Sequence, residues 1–175
     1  MKQTAVRFGF YSMITILVLS CIHFFILMDR LDYDQLEVIG YLTMVLSMIF
    51  VFFGIRYYRN EKNDGALTFG QGLKIGVLIV LFPSIFFGAF DVLYTEVLNP
   101  NWKNQYTTHY LEQFSKLPDA QYQAKKQQLE ETMKLFSNPF MQFLLMFITV
   151  FVIGFIVSII SALALRRKTQ AATNY

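Results

Sequence analysis

The chain has 175 residues, of which 55% are hydrophobic and only 15% charged, and its formal net charge is +3. An average soluble domain carries about 25% charged residues, so a water-facing globular surface is excluded for most of this sequence. The basic excess is small and flanks apolar runs, which makes the lipid bilayer the expected partner and leaves no case for nucleic acid.

The apolar residues fall in four blocks, at about 8–28, 38–55, 75–98 and 140–165. Each is near or above the ~18–20 residues needed to cross a ~30 Å hydrocarbon core as a helix. Runs such as MIFVFFGI and FLLMFITVFVIGFIVSII leave no room for the polar stripe of a soluble amphipathic helix. The expected fold is therefore an all-α integral membrane protein. A single membrane domain over 1–175 would hold four transmembrane helices, with an extracytoplasmic helical hairpin at 99–139 between helices three and four.

The first block follows Lys2 and Arg7 and contains Cys21, the single cysteine, so no disulfide can form within the chain. Leu17-Val18-Leu19-Ser20-Cys21 resembles a bacterial lipoprotein signal, in which the cysteine is acylated and the preceding residues are removed. The apolar run continues to Met28, however, which favours an uncleaved first helix. Along that helix Ser12, Thr15, Ser20 and His23 share a broad arc. The loop that follows, DRLDYDQLE, is acidic apart from Arg30. After the second block, Arg56, Tyr57, Tyr58 and Arg59 form an interfacial belt of aromatic rings and snorkelling cations.

Asn63-Asp64-Gly65 is a turn signal. Thr68 followed by Gln71 has the spacing of a capping box, so the third helix is expected to begin near Phe69. That helix carries Gly72, Gly76, Ser84 and Gly88 at intervals of four, with Val80 between them, and Pro83 is expected to kink it. Helix four has Gly154, Ser158 and Ala162 at the same spacing. Lipid gives helices no hydrophobic reason to associate, so close approach at small residues must do so, and these two faces are expected to pack within one chain. The oligomeric state is left open.

Asp91 lies on the packed face of helix three, in the stretch IFFGAFDVLYTEVL, where burying a charge is expensive. Counting 1.5 Å per residue, His23 and Asp91 each come roughly 8–10 Å below the outer surface, making them a candidate intramembrane polar pair. A polar contact of Asp91 with another partner and a proton- or ion-coupled site remain alternatives. Glu96 is expected at the interface.

The segment ALTFGQGLKIGVLIVL, with Thr68-Phe69-Gly70 and Gly76 as its most specific piece, has company in Asn99-Pro100 and in the four-span layout with one long third loop. Together these resemble the bacterial inner-membrane family catalogued as domain of unknown function 4199. The resemblance implies a four-helix membrane architecture. It carries no established activity and hence no functional residues.

The long loop is patterned. Trp102, Tyr106, Tyr110 and Phe114 recur every four residues, and Tyr122, Leu129, Met133 and Phe136 follow a seven-four-three spacing with charged residues opposite. Two amphipathic helices are expected, the second with Pro118 at its first turn. Their apolar faces would lie on the membrane surface, on each other, or on a membrane or periplasmic protein partner.

Sidedness follows from the basic residues. Lys2, Arg7, Arg56, Arg59, Lys62, Lys74, Arg166, Arg167 and Lys168 would lie on one side. Arg30 would lie on the other, with Lys103, Lys116, Lys125, Lys126 and Lys134 in the long loop. Both termini are expected in the cytoplasm of a multi-pass inner-membrane protein. No HExxH or phosphate-cradling loop occurs, and two histidines are too few for most metal sites. No catalytic residues, metal or cofactor are expected. The reading is a non-enzymatic accessory or scaffolding protein, with a subunit of a small oligomeric ion- or proton-coupled transporter or channel as the alternative.

Overall fold

A computed structural model describes residues 1–28 and 30–167. Asp29 of the acidic loop, Lys168 of the basic set and the C-terminal residues after it lie outside the described residues. The described chain is helical: α1 Lys2–Ile22, α2 Tyr33–Ser47, α3 Ile49–Lys62, α4 Phe69–Leu93, α5 Trp102–Phe114, α6 Asp119–Phe136 and α7 Pro139–Leu165. Short π-helical turns extend α1 over His23–Leu27 and α4 over Tyr94–Leu98.

Four continuous stretches, Lys2–Leu27, Tyr33–Lys62, Phe69–Leu98 and Pro139–Leu165, are long and apolar enough to cross a membrane. At 26 to 30 residues each, they reach about 39–45 Å, past a ~30 Å hydrocarbon core and into the headgroup layer on either side. The helices are longer than the apolar blocks because Lys, Arg and Tyr at their ends suit that layer.

The chain divides into two compact units, one of Met1–Phe87 with Ile148–Tyr175 and the other of Gly88–Phe147. In the first, the burial pattern of α1 is that of a helix in lipid. Val6, Phe10, Ile14, Val18 and Ile22, one every four residues, are between 39% and 51% exposed. Thr4, Ala5, Gly9, Ser12, Ile16 and Ser20 are buried on the other face. Apart from Ile16, the inside residues are small or hydroxylated, and the exposed ridge is of large apolar ones. Water would punish such a surface, whereas lipid tails accept it.

Close backbone approach holds this unit together. A Cβ placed on Gly72 would lie 3.0 Å from the Ala162 Cβ, one on Gly76 2.6 Å from Ser158 Oγ, and one on Gly154 2.5 Å from a Val80 methyl. The small-residue stripes of α4 and α7 therefore face each other here. Gly9 on α1 likewise admits Phe82, and Gly54 on α3 admits Ile79 and Phe8. The α4 helix runs on through Pro83, and the Ser84 hydroxyl donates to the Val80 carbonyl at 2.9 Å.

The second span departs from the single helix its hydropathy predicts. It breaks at Met48, where ψ is −3° and the Met48 amide bonds back to the Val45 carbonyl. The tightened turn leaves the Ser47 carbonyl to the Ser12 hydroxyl of α1, which donates to it at 2.6 Å. A hydrogen bond between spans thus satisfies the backbone group that the break exposes.

The polar end of this unit is fastened by short-range chemistry. Asp64 and Gly65 both take positive φ, 47° and 75°, closing the turn between α3 and α4. Thr68 and Gln71 then complete the capping box, with Thr68 Oγ1 accepting the Gln71 amide at 3.2 Å and Gln71 Oε1 accepting the Thr68 amide at 3.0 Å. Leu67 and Arg167 exchange two backbone hydrogen bonds at 2.8 and 2.9 Å, and Arg59 donates to the Leu165 carbonyl. The Arg7 guanidinium lies over the rings of Phe8, Tyr11 and Tyr57. Arg7, Arg59 and Arg167 are thereby gathered at one end of the unit.

The second unit contains the hairpin. On α5 the rings of Trp102, Tyr106, Tyr110 and Phe114 follow one another at centroid distances of 5.1, 4.6 and 5.8 Å. Trp102 also meets Phe136 of α6 at 6.2 Å, and Leu129 is buried. The two helices turn these apolar faces toward each other, and the four aromatic residues of α5 are half-buried. Tyr122 and Met133 are half-buried on α6.

Candidate functional site

An aspartate within a membrane-spanning helix needs partners, because neither lipid nor packed side chains solvate a carboxylate. Asp91 sits on the last turns of α4, inside the second unit, and is 9% exposed. Its backbone neighbourhood is shaped by Gly88, where a Cβ would lie 2.9 Å from the Phe143 carbonyl oxygen. That close approach of α7 brings the Gln142 side chain across to α4.

Gln142 Nε2 donates to Asp91 Oδ2 at 2.7 Å and to Thr95 Oγ1 at 2.7 Å, and lies 3.4 Å from the Asp91 carbonyl oxygen. Thr95 Oγ1 in turn lies 3.2 Å from that carbonyl and 3.4 Å from the Val92 carbonyl. Gln142 and Thr95 are 0% and 3% exposed. The other end of the same amide, Gln142 Oε1, is buried with no hydrogen-bond partner. The cluster is thus rich in oxygen, and one amide NH2 group serves three of those oxygens.

Two features frame it. The π-helical turn Tyr94–Leu98 begins just after Asp91 and closes with the Asn99 amide donating to the Tyr94 carbonyl at 2.7 Å. Single π turns of this kind recur at functional sites because they re-aim side chains within a helix. Beyond it, Lys103 pairs with Glu96 at 2.6 Å, which accounts for the one acidic side chain of that turn.

Gln142 is therefore the donor that meets the Asp91 carboxylate within this unit. His23 belongs to the other unit, on the π-helical turn after α1, and its Nδ1 is buried without a hydrogen-bond partner. Sequence reading passed over Gln142 because it lies in an apolar run that reads as uniform span. The signal was available: within PFMQFLLMFI it is the single polar side chain. An amide there must find an internal partner or go unsatisfied.

Of the other residues singled out, Gly72, Gly76, Gly154, Ser158 and Ala162 are buried in the first unit, as is Ser84, while Gly88 packs on Phe143 in the second. Cys21 is a half-buried free thiol. Among the described residues no group of three or more His, Cys, Asp or Glu side chains is placed to hold a metal ion.

The fold and the cluster define an all-helical protein with four membrane-length apolar helices and a buried carboxylate–amide–hydroxyl site. The chain belongs to the family described as Protein of unknown function (DUF4199), which matches residues 7–167. No curated protein and no solved structure matches the chain.

Proposed function

We propose that this is a non-enzymatic inner-membrane protein of the accessory or scaffolding kind, with its helical hairpin outside the cytoplasm as a contact element. The observation that supports this reading is the construction of the hairpin. Its aromatic stripe is half-buried with Trp102 against Phe136, Leu129 is buried, and the outward faces carry Gln123, Lys125, Glu130 and Glu131. A self-packed pair of helices offers a preformed polar surface and loses little entropy on docking. It is also joined to its flanking spans by fixed geometry, since Lys103 pairs with Glu96 and the Asn138 side chain accepts the Phe140 and Met141 amides at the start of α7.

Sidedness rests on the gathering of Arg7, Arg59 and Arg167 at one end of the first unit, with Lys2, Arg56 and Lys62 nearby in sequence. By the tendency of short basic loops to stay in the cytoplasm, that end and both termini are cytoplasmic. Replacing residues 102–136 with a short Gly-Ser linker tests the contact role. Co-purification of a partner from native membranes should be lost while membrane insertion persists. Partners that stay bound to the shortened chain would refute the proposal.

A second reading, as a subunit of an ion-coupled transporter or channel, is favoured by one observation, the buried Asp91–Thr95–Gln142 cluster. Its test is ion flux in proteoliposomes containing the purified chain.

A further inference from the structure

We propose that Asp91, Thr95 and Gln142 form a binding site for one monovalent alkali cation, with sodium as the probe. The argument begins with convergence. Asp91 Oδ2, Thr95 Oγ1 and the Asp91 carbonyl oxygen all point to a single atom, Gln142 Nε2, at 2.7, 2.7 and 3.4 Å. A carboxylate, a hydroxyl and a backbone carbonyl arranged around one point are hard oxygen donors of the kind that hold alkali and alkaline-earth ions. The amide NH2, with its partial positive charge, stands where such an ion would be served.

The second observation is the orphaned oxygen. Gln142 Oε1 belongs to a fully buried residue and has no hydrogen-bond partner. A buried amide oxygen left unpaired is costly. Rotation of the amide, with a small withdrawal of the side chain, would turn this oxygen toward the ion and complete a set of four oxygens from Asp91, Thr95 and Gln142, the NH2 group then taking the oxygen's present place.

Charge sets the ion class. The cluster has one carboxylate, so a single positive charge neutralises it. No second acidic side chain joins the cluster to hold a divalent ion, and among the described residues no group of three or more His, Cys, Asp or Glu side chains is placed to hold a metal. Lys103 is engaged by Glu96, to which it donates at 2.6 Å. A neutral amide and a hydroxyl offset the charge only in part, and a bound cation removes the remainder in a medium where an uncompensated carboxylate is disfavoured.

The inference deepens the ion-coupled reading of Asp91 and is independent of hairpin docking. Binding and transport are separable, because a protein may hold an ion without moving it. The test therefore measures binding on the full chain in detergent. Trp102, the single tryptophan, reports thermal unfolding, with choline chloride holding ionic strength constant. Sodium should raise Tm saturably, by about 5 °C well above Kd. Radiolabelled sodium should bind at one ion per chain. Both effects should vanish in Asp91→Asn and weaken at least tenfold in Thr95→Val, while Thr95→Ser restores them. If Asp91→Asn fails to fold, the Thr95 pair alone decides. A Tm that responds to acidification but not to sodium, or wild-type behaviour in Thr95→Val, overturns the proposal. Sodium binding without flux in proteoliposomes supports the site and removes only the transport reading.

Discussion

Replacing Gln142 by leucine keeps much of the side-chain volume but removes the amide that serves Asp91 Oδ2 and Thr95 Oγ1. The carboxylate then stays buried with no donor, a loss of about 1–3 kcal/mol or more for a charged group. Asp91→Asn removes the charge and retains an acceptor, so it should cost less. Combining the two changes should cost less than the sum of the single effects, because the penalty of Gln142→Leu arises mainly from the stranded charge. Reversible unfolding of the wild type and the three variants checks this cycle, and strictly additive costs would remove the charge-stranding argument. This pairing was only half legible in the sequence. Asp91 announces itself as a carboxylate among apolar residues. Its partner did not follow, since Gln142 lies 51 residues away in sequence and only the close approach at Gly88 brings it across. Position along a helix can be counted, but rotation about the axis depends on neighbours, so a count along the sequence does not name the partner.

At the scale of the element, the glycines separate into two kinds that composition cannot distinguish. A side chain at Gly76 would strike Ser158 at 2.6 Å, whereas one at Gly70 meets nothing within 4 Å. Gly76→Leu should therefore destabilise the protein by about 1–3 kcal/mol or more through overpacking. Gly70→Leu should stay within about 0.5 kcal/mol of wild type. Unfolding in mixed detergent measures both, and equal effects would mean that α4 does not rely on this contact. The four-residue repeat made the packed face readable, because small residues at that spacing align along one side of a helix. The capping box at Thr68 was readable for the same reason, being local. The break at Met48 was not. It depends on a hydroxyl from another span, Ser12, which meets a carbonyl 35 positions later. Hydropathy averages such a site into the surrounding apolar run. The π turns at His23–Leu27 and Tyr94–Leu98 escaped notice similarly, since a single wide turn leaves the apolar period almost unchanged.

For the whole molecule, the exposed apolar ridge of α1 and the hydroxyl-lined interior argue for lipid as the solvent, and the clustered arginines argue for which way the chain faces it. Cys21 is the single cysteine, so a Cys21→Ala background permits one reporter thiol at a time. Glu61 at the end of α3 and Gln123 on α6 are both exposed. With a membrane-impermeant maleimide on intact cells, Gln123→Cys should label and Glu61→Cys should not. Permeabilising the inner membrane should expose Glu61→Cys without changing the Gln123→Cys signal. Neither substitution adds a basic residue, so the charge pattern that sets orientation stays essentially intact. Labelling of Glu61→Cys in intact cells, with Gln123→Cys protected, would invert the topology. The outward-facing role of the hairpin would then fail, whereas the hydrogen bonds around Asp91 would stand unchanged, because they arise from the packing of α4 on α7 and not from which side of the membrane receives the hairpin.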